Sequence, residues 1–186
     1  MSTAILKRRS IRLKKHDYSE PGYYFVTACA QKKVYLFGEI VNGVMGLNEF
    51  GKIVHRTWCD LPNHYCNIGL DSYVIMPNHF HGIVMIDSTS NVGAGLPRPG
   101  HRPGPVVVAQ GAETAPLRPK LGQIIAYFKY QTTKLINEHR KTPGVRLWQR
   151  NYYERVIRHE QELTNIRQYI QNNPKDWHLD PENGHA

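Results

Sequence analysis

The stretch Asn67-Ile68-Gly69-Leu70-Asp71-Ser72-Tyr73-Val74-Ile75-Met76-Pro77-Asn78-His79-Phe80-His81-Gly82-Ile83-Val84-Met85-Ile86 decides how the chain is read. Two β-prone runs, 67–76 and 79–86, are parted by Pro77-Asn78, a turn signal. Successive side chains on a strand point to opposite faces. Phe80 therefore points into a core, and His79 and His81 point together to the other face. Two imidazoles on one face, about two residue rises apart, can hold one divalent metal. A lone His-x-His also fits an incidental pair, so the rest of the chain has to decide.

Upstream, 23–30 is aromatic and β-prone and reads as a strand. The runs 36–41 and 44–47 flank Asn42-Gly43, the strongest short hairpin signal. Asn48 is placed to cap a helix over about 49–61, which Pro62 and Asn63 end. Downstream, 88–119 has six Pro and five Gly among its 32 residues. It is expected to be a flexible insertion inside the domain, with no chemistry assigned to it. Leu121–His139 is an amphipathic helix whose stripe is Leu121, Ile124, Ile125, Phe128, Thr132, Leu135 and Ile136. Tyr127, Tyr130 and Lys134 then face outward. Glu160–Asn172 is a last helix, with Leu163, Ile166 and Ile170 facing the core and Pro174 ending it. The order of elements predicts an α+β domain, 18–178, with a mainly antiparallel sheet. A basic arm, 1–17, precedes it and a short tail, 179–186, follows.

Composition narrows the partners. The 186 residues carry 24 Lys+Arg against 15 Asp+Glu, a formal net charge of +9. Lys7, Arg8, Arg9, Arg12, Lys14 and Lys15 crowd the first fifteen residues with no acid among them. That excess favours a polyanion through phosphate neutralisation and counterion release, without choosing among DNA, RNA and anionic membrane. No apolar run approaches the ~20 residues of a membrane span, and the basic start lacks a signal-peptide core. A cytoplasmic location is expected. Cys29, Cys59 and Cys66 have neither disulfide-framework nor zinc-site spacing and are expected to be reduced and mostly buried.

A second signal lies in Ile166-Arg167-Gln168-Tyr169-Ile170-Gln171-Asn172-Asn173-Pro174. With Ile166 and Ile170 buried, Tyr169 and Asn173 share an adjacent helix face at i, i+4. The amide oxygen is a hard neutral ligand suited to Mg²⁺ or Mn²⁺. The phenol becomes a nucleophile if a metal polarises the target phosphate. On spacing alone, an exposed Tyr beside an Asn cap fits as well.

Taken together, these motifs resemble the single-tyrosine HUH transposases, the insertion-sequence 200-like group, and within it the REP-associated branch. His79-Phe80-His81 matches the His-hydrophobe-His motif, and Tyr169-Ile170-Gln171-Asn172-Asn173-Pro174 matches the nucleophile helix. Trp148-Gln149-Arg150-Asn151-Tyr152-Tyr153-Glu154-Arg155-Val156-Ile157-Arg158 is similar to a further segment of the group, and Gly22-Tyr23-Tyr24-Phe25-Val26-Thr27 to its first strand. The resemblance covers roughly 18–178. It implies a ferredoxin-like or RRM-like antiparallel sheet with helices on one face, the HUH endonuclease fold. It further implies that His79 and His81 hold Mg²⁺ or Mn²⁺ and that Tyr169 attacks a DNA phosphate. The tyrosine would become joined to the 5′ side of the break, releasing a 3′-OH. The third ligand position is Gln in many members and Asn173 here. Implied partners are single-stranded DNA with hairpin, repeat-palindrome structure, bound by a monomer or a homodimer.

Among other residues, Tyr127 with Gln131 mimics the nucleophile spacing and is a weaker candidate, and Tyr152 and Tyr153 are weaker still. Tyr127, Lys129, Tyr130 and Lys134 suit phosphate contact or base stacking. Lys7, Arg8, Arg9 and Arg12 suit the foot of a DNA hairpin. Two other readings stand beside this one. One is a non-catalytic RRM-like binding module, although no aromatic K/R-G-F/Y motif is present. The other is a replication-initiator or relaxase-type nuclease, although no helicase-like region accompanies it.

Overall fold

A computed structural model describes residues 16–87 and 119–183. Strand β1 (Gly22–Cys29) is followed by a hairpin of β2 (Gly38–Val41) and β3 (Val44–Leu47), helix α1 (Glu49–Cys59) and the single turn α2 (Leu61–His64). Strands β4 (Ile68–Ile75) and β5 (His79–Ile86), helix α3 (Leu121–His139), strand β6 (Tyr153–Ile157) and helix α4 (Glu160–Asn172) complete it. Strands β4-β5-β1-β6 form one antiparallel sheet in that order, and β2-β3 pair separately. The α+β class with an antiparallel sheet is as the sequence predicts.

Local chemistry explains the bounds. Asn42 and Gly43 both take positive φ, 53° and 73°, which a tight two-residue hairpin requires. The Asn48 side chain accepts the Gly51 N–H at 3.0 Å and starts α1. His159 Nδ1 does the same for α4, accepting the Glu162 N–H at 3.2 Å.

The sheet separates two apolar clusters. Tyr24, Val26, Phe80 and Val84 face α1 and α3, where Trp58 and Phe128 pack on Phe80 with ring centroids 4.5 and 5.1 Å away. Phe25, Ile83 and Ile157 face the other way and receive Leu163 and Ile170 of α4. The expectation of helices on one face thus holds for α1 and α3. Helix α4 takes the opposite face, because its apolar stripe needs the strip that the odd-numbered residues of β1, β5 and β6 provide. Strand β6, which the sequence did not show, is an edge strand paired with β1 alone.

Two further details depart from expectation. Leu135 is 41% exposed, whereas Asn137 is buried, since its Nδ2–H donates to Val145 O at 2.8 Å and Arg140 donates to its Oδ1. Cys59 and Cys66 are exposed free thiols rather than buried ones. The segment 88–119 and the arm 1–17 fall almost wholly outside the described residues. No helix among the described residues is long and apolar enough to cross a membrane.

Gly82 lets α1 lie close on the sheet. A Cβ there would sit 2.7 Å from Trp58 Cζ2 and from a ring carbon of Phe80. Gly82→Val should therefore overpack the core and lower unfolding stability by about 1–3 kcal/mol. Urea denaturation checks this, with a lower midpoint and an unchanged slope expected.

Candidate functional site

Pairing of β1 with β5 sets Thr27 opposite His81 and Cys29 opposite His79. Both imidazoles are buried, with centroids 4.5 Å apart. Each is oriented through Nδ1. His81 Nδ1 lies 2.8 Å from Thr27 Oγ1, and His79 Nδ1 lies 2.8 Å from Asn78 Oδ1. The Asn78 amide N–H groups are used on Glu182 O at 2.8 Å and Lys33 O at 3.3 Å. The amide oxygen must then accept from His79, which leaves the proton on Nδ1 and a lone pair on Nε2. Partners of this kind fix ring orientation and tautomer in metal-binding histidines.

Helix α4 brings Tyr169 and Asn173 to the same place. Tyr169 Oη is 3.1 Å from His81 Nε2 and 3.5 Å from Asp180 Oδ2. Asn173 Nδ2 donates to Asp180 Oδ2 at 2.7 Å. Asp180 was not foreseen as a site residue. It enters on the segment after α4, which Lys33 holds by its ammonium on Pro181 O, Asn78 by Glu182 O and Tyr35 by a 2.6 Å hydrogen bond to Asn183 Oδ1. Ligand atoms of His79, His81 and Asp180 all lie within 4.8 Å of one another, and all three residues are buried.

Electrostatics keep these groups in ligand form. Burial pushes His79 and His81 down to about 3, helped at His79 by Lys33 and at His81 by His79. Both are neutral near pH 7. The 3.8 Å approach of His79 Nε2 to Asp180 Oδ2 is therefore no ion pair. His79 Nε2 and Asn173 Oδ1 are buried and have no hydrogen-bond partner among the described residues. Orphaned lone pairs at that depth are costly unless a cation or water takes them up. Two imidazole nitrogens, a carboxylate and an amide oxygen suit a divalent metal. Tyr169 is pushed up to about 12, by burial first and the Asp180 charge second.

No family model matches the chain. It is 37% identical over 182 residues to an uncharacterized protein of Haemophilus influenzae, spanning 96% of this chain and 94% of that one. The chain belongs to that protein's family. Among solved structures, a REP-associated tyrosine transposase bound to a REP hairpin matches with a TM-score of 0.56 at 13% identity, over 89% of this chain and 73% of that one. The chain shares the fold of that protein. A candidate transposase of Deinococcus radiodurans matches at 15% identity over 87% of this chain and 97% of that one, but its TM-score of 0.45 adds no weight.

On this fold, the other residues singled out from the sequence scatter. Tyr127 stacks on His64 at 3.9 Å with rings 9° from parallel, away from the exposed helix face. Lys129 donates to the carbonyls of Gln149 and Asn151 at 2.7 and 3.1 Å, and burial lowers it to about 8. Its ammonium thus anchors the 149–151 loop. Tyr130 is 63% exposed and Lys134 is exposed, and Tyr130 shares a groove with Arg146 and Arg150. Tyr153 lies on β6 with its ring against Phe25. Lys7, Arg8, Arg9 and Arg12 lie outside the described residues.

The buried histidines generate a pH dependence. Their folded values lie below the ~6.5 of an unfolded histidine, so the unfolded chain binds more protons between about pH 6.5 and 3. The contribution of these two histidines to stability is then full above 6.5 and is lost as pH drops. Metal-free protein should lose up to about 1.4 kcal/mol per pH unit for each histidine across that window. Urea titrations from pH 7.5 to 4.5 check it, and a His79→Ala/His81→Ala variant should show a much flatter profile.

Proposed function

We propose that the chain is a single-tyrosine HUH transposase of the REP-associated kind, a metal-dependent endonuclease and strand transferase acting on hairpin-containing single-stranded DNA. The observation that carries this reading is the 3.1 Å contact of Tyr169 Oη with His81 Nε2, beside His79 and a buried carboxylate. A phenol aimed at a paired-histidine cation site is the arrangement needed to attack a phosphodiester. The likeness to a fold solved with a REP hairpin supports a hairpin substrate. The net charge of +9 supports a polyanionic one.

His79, His81 and Asp180 would hold Mg²⁺ or Mn²⁺, with Asn173 Oδ1 as a further oxygen. When bound, the cation supplies Lewis-acid polarisation of a phosphate oxygen. Tyr169 Oη attacks phosphorus, the bond from phosphorus to the 3′ oxygen breaks, and the departing strand leaves with a 3′-OH. The phenol proton needs an acceptor, because a group held at about 12 is protonated near neutrality. Asp180 Oδ2, 3.5 Å away, is the carboxylate oxygen in reach, and the proton it takes up would pass to the departing 3′ oxygen. The 5′-phosphotyrosine conserves the phosphodiester bond energy, so a 3′-OH can attack it and rejoin DNA without ATP. Thr27 and Asn78 hold the imidazoles in place throughout. Tyr130, Lys134, Arg146 and Arg150 offer a stacking ring and phosphate partners along one surface.

Incubation with labelled hairpin oligonucleotides and Mn²⁺ or Mg²⁺ should give a denaturant-resistant protein–DNA adduct in wild type. Tyr169→Phe and His79→Ala/His81→Ala should abolish it. Tight hairpin binding without an adduct under any metal would instead mean a non-catalytic binding module. Mixing the Tyr169→Phe chain with the double-histidine variant should restore nothing, since Tyr169 faces the histidines of its own chain. Recovered adduct in the mixture would mean that the site forms between two copies.

A further inference from the structure

Helix α4 is tied to both outer strands of the sheet by charge. Near its start, Arg155 of β6 meets Glu162 at 2.6 Å. Closer to Tyr169, Arg167 meets Asp71 of β4 as a fork, with Nε–H donating to Oδ1 at 2.9 Å and Nη2–H to Oδ2 at 2.7 Å. Two parallel charge-assisted hydrogen bonds fix orientation as well as distance.

The strand is shaped to present this carboxylate. Leu70 and Tyr73 both pack toward α1 and α3, although residues three apart on a regular strand face opposite sides. A register shift between them resolves the conflict. This irregularity leaves Asp71 facing α4, and its Oδ1 also accepts the Ser72 N–H at 2.6 Å. The fork holds the Asp71 carboxyl down at about 2, so it is charged near neutrality.

Helical geometry says what the fork controls. At about 100° per residue, Leu163, Ile166 and Ile170 form a narrow seam. Arg167 falls on one flank of it, and Tyr169 and Asn173 fall on the other. Apolar contact is non-directional and resists rolling about the seam only weakly. We propose that the Arg167–Asp71 fork is a positioning contact that sets the roll of α4, and through it the place of Tyr169 Oη over His81 of the same chain. This rests on the reading of Tyr169 as the nucleophile.

The test uses the full chain with Mn²⁺ and a hairpin oligonucleotide, followed as single-turnover adduct formation. Arg167→Ala and Asp71→Asn should each slow the adduct step about 10- to 100-fold, as a small misplacement of reacting groups does. Hairpin affinity should hold, and rates are compared well below the thermal midpoint of each variant, because a bidentate pair contributes some stability of its own. The reversed pair, Arg167→Asp with Asp71→Arg, should recover most of the rate. Wild-type rates in both single variants would overturn the proposal. So would losses explained by unfolding at the assay temperature or by weakened DNA binding. Amide hydrogen exchange supplies an arm free of the chemistry: Arg167→Ala should speed exchange along α4 around Tyr169 and leave β1 and β5 unchanged. If wild type forms no adduct, the nucleophile reading fails while exchange still decides the fork. Unchanged α4 protection in Arg167→Ala overturns the fork's role.

Discussion

Everything in this structure hangs on the antiparallel register of β1 with β5. That pairing puts Phe80 under Trp58 and, by the two-residue period, turns His79 and His81 to the other face. A slip of one residue would exchange the two sets, burying imidazoles among the aromatic rings and expelling Phe80. The large apolar cluster on one side therefore specifies the polar site on the other. The packing energy of Trp58, Phe80 and Phe128 is what holds two histidines in an interior that does not favour their charge.

The polar side has its own logic. Neutral imidazoles tolerate burial far better than charged ones, and each Nδ1 is satisfied by a fixed oxygen from Thr27 or Asn78. What remains unsatisfied, His79 Nε2 and Asn173 Oδ1, lies beside the Asp180 carboxylate. Lone pairs that water would ordinarily meet are thus gathered around one point. Tyr169 stands at the rim of that point, 42% exposed, with its ring edge on Phe25 and its hydroxyl turned inward. A hydroxyl placed so is reachable from solvent on one side while its oxygen stays near the buried histidines.

Much of this was legible in the chain because it is periodic. The bounds of β5, α3 and α4 follow from spacings of two and of three to four, and His79, His81, Tyr169 and Asn173 converge as their motifs imply. What stayed hidden depends on contacts between distant segments. Strand β6 carries Glu154 and Arg155 in a five-residue run, so it has no apolar alternation to announce it. Asp180 sits in a short polar stretch that looks solvated until Lys33, Asn78 and Tyr35 are seen to hold that stretch against the sheet. Lys129 looked like a phosphate contact for the same reason in reverse: the carbonyls that occupy it come from a loop twenty residues on. Leu135 and Asn137 exchanged roles because a backbone carbonyl at Val145 made the amide the better interior residue.

The order of strands in space has a consequence for how the chain is made. Strand β1 leaves the ribosome well before its neighbour β6, which follows it by more than a hundred residues, and Asp180 comes later still. Throughout that interval one edge of β1 has no strand beside it. Such an edge in a nascent chain invites pairing with other chains unless a chaperone or the slow pace of translation shelters it. The same delay means that no unfinished chain carries an assembled site. Whatever chemistry the site performs thus waits until synthesis has passed Asp180.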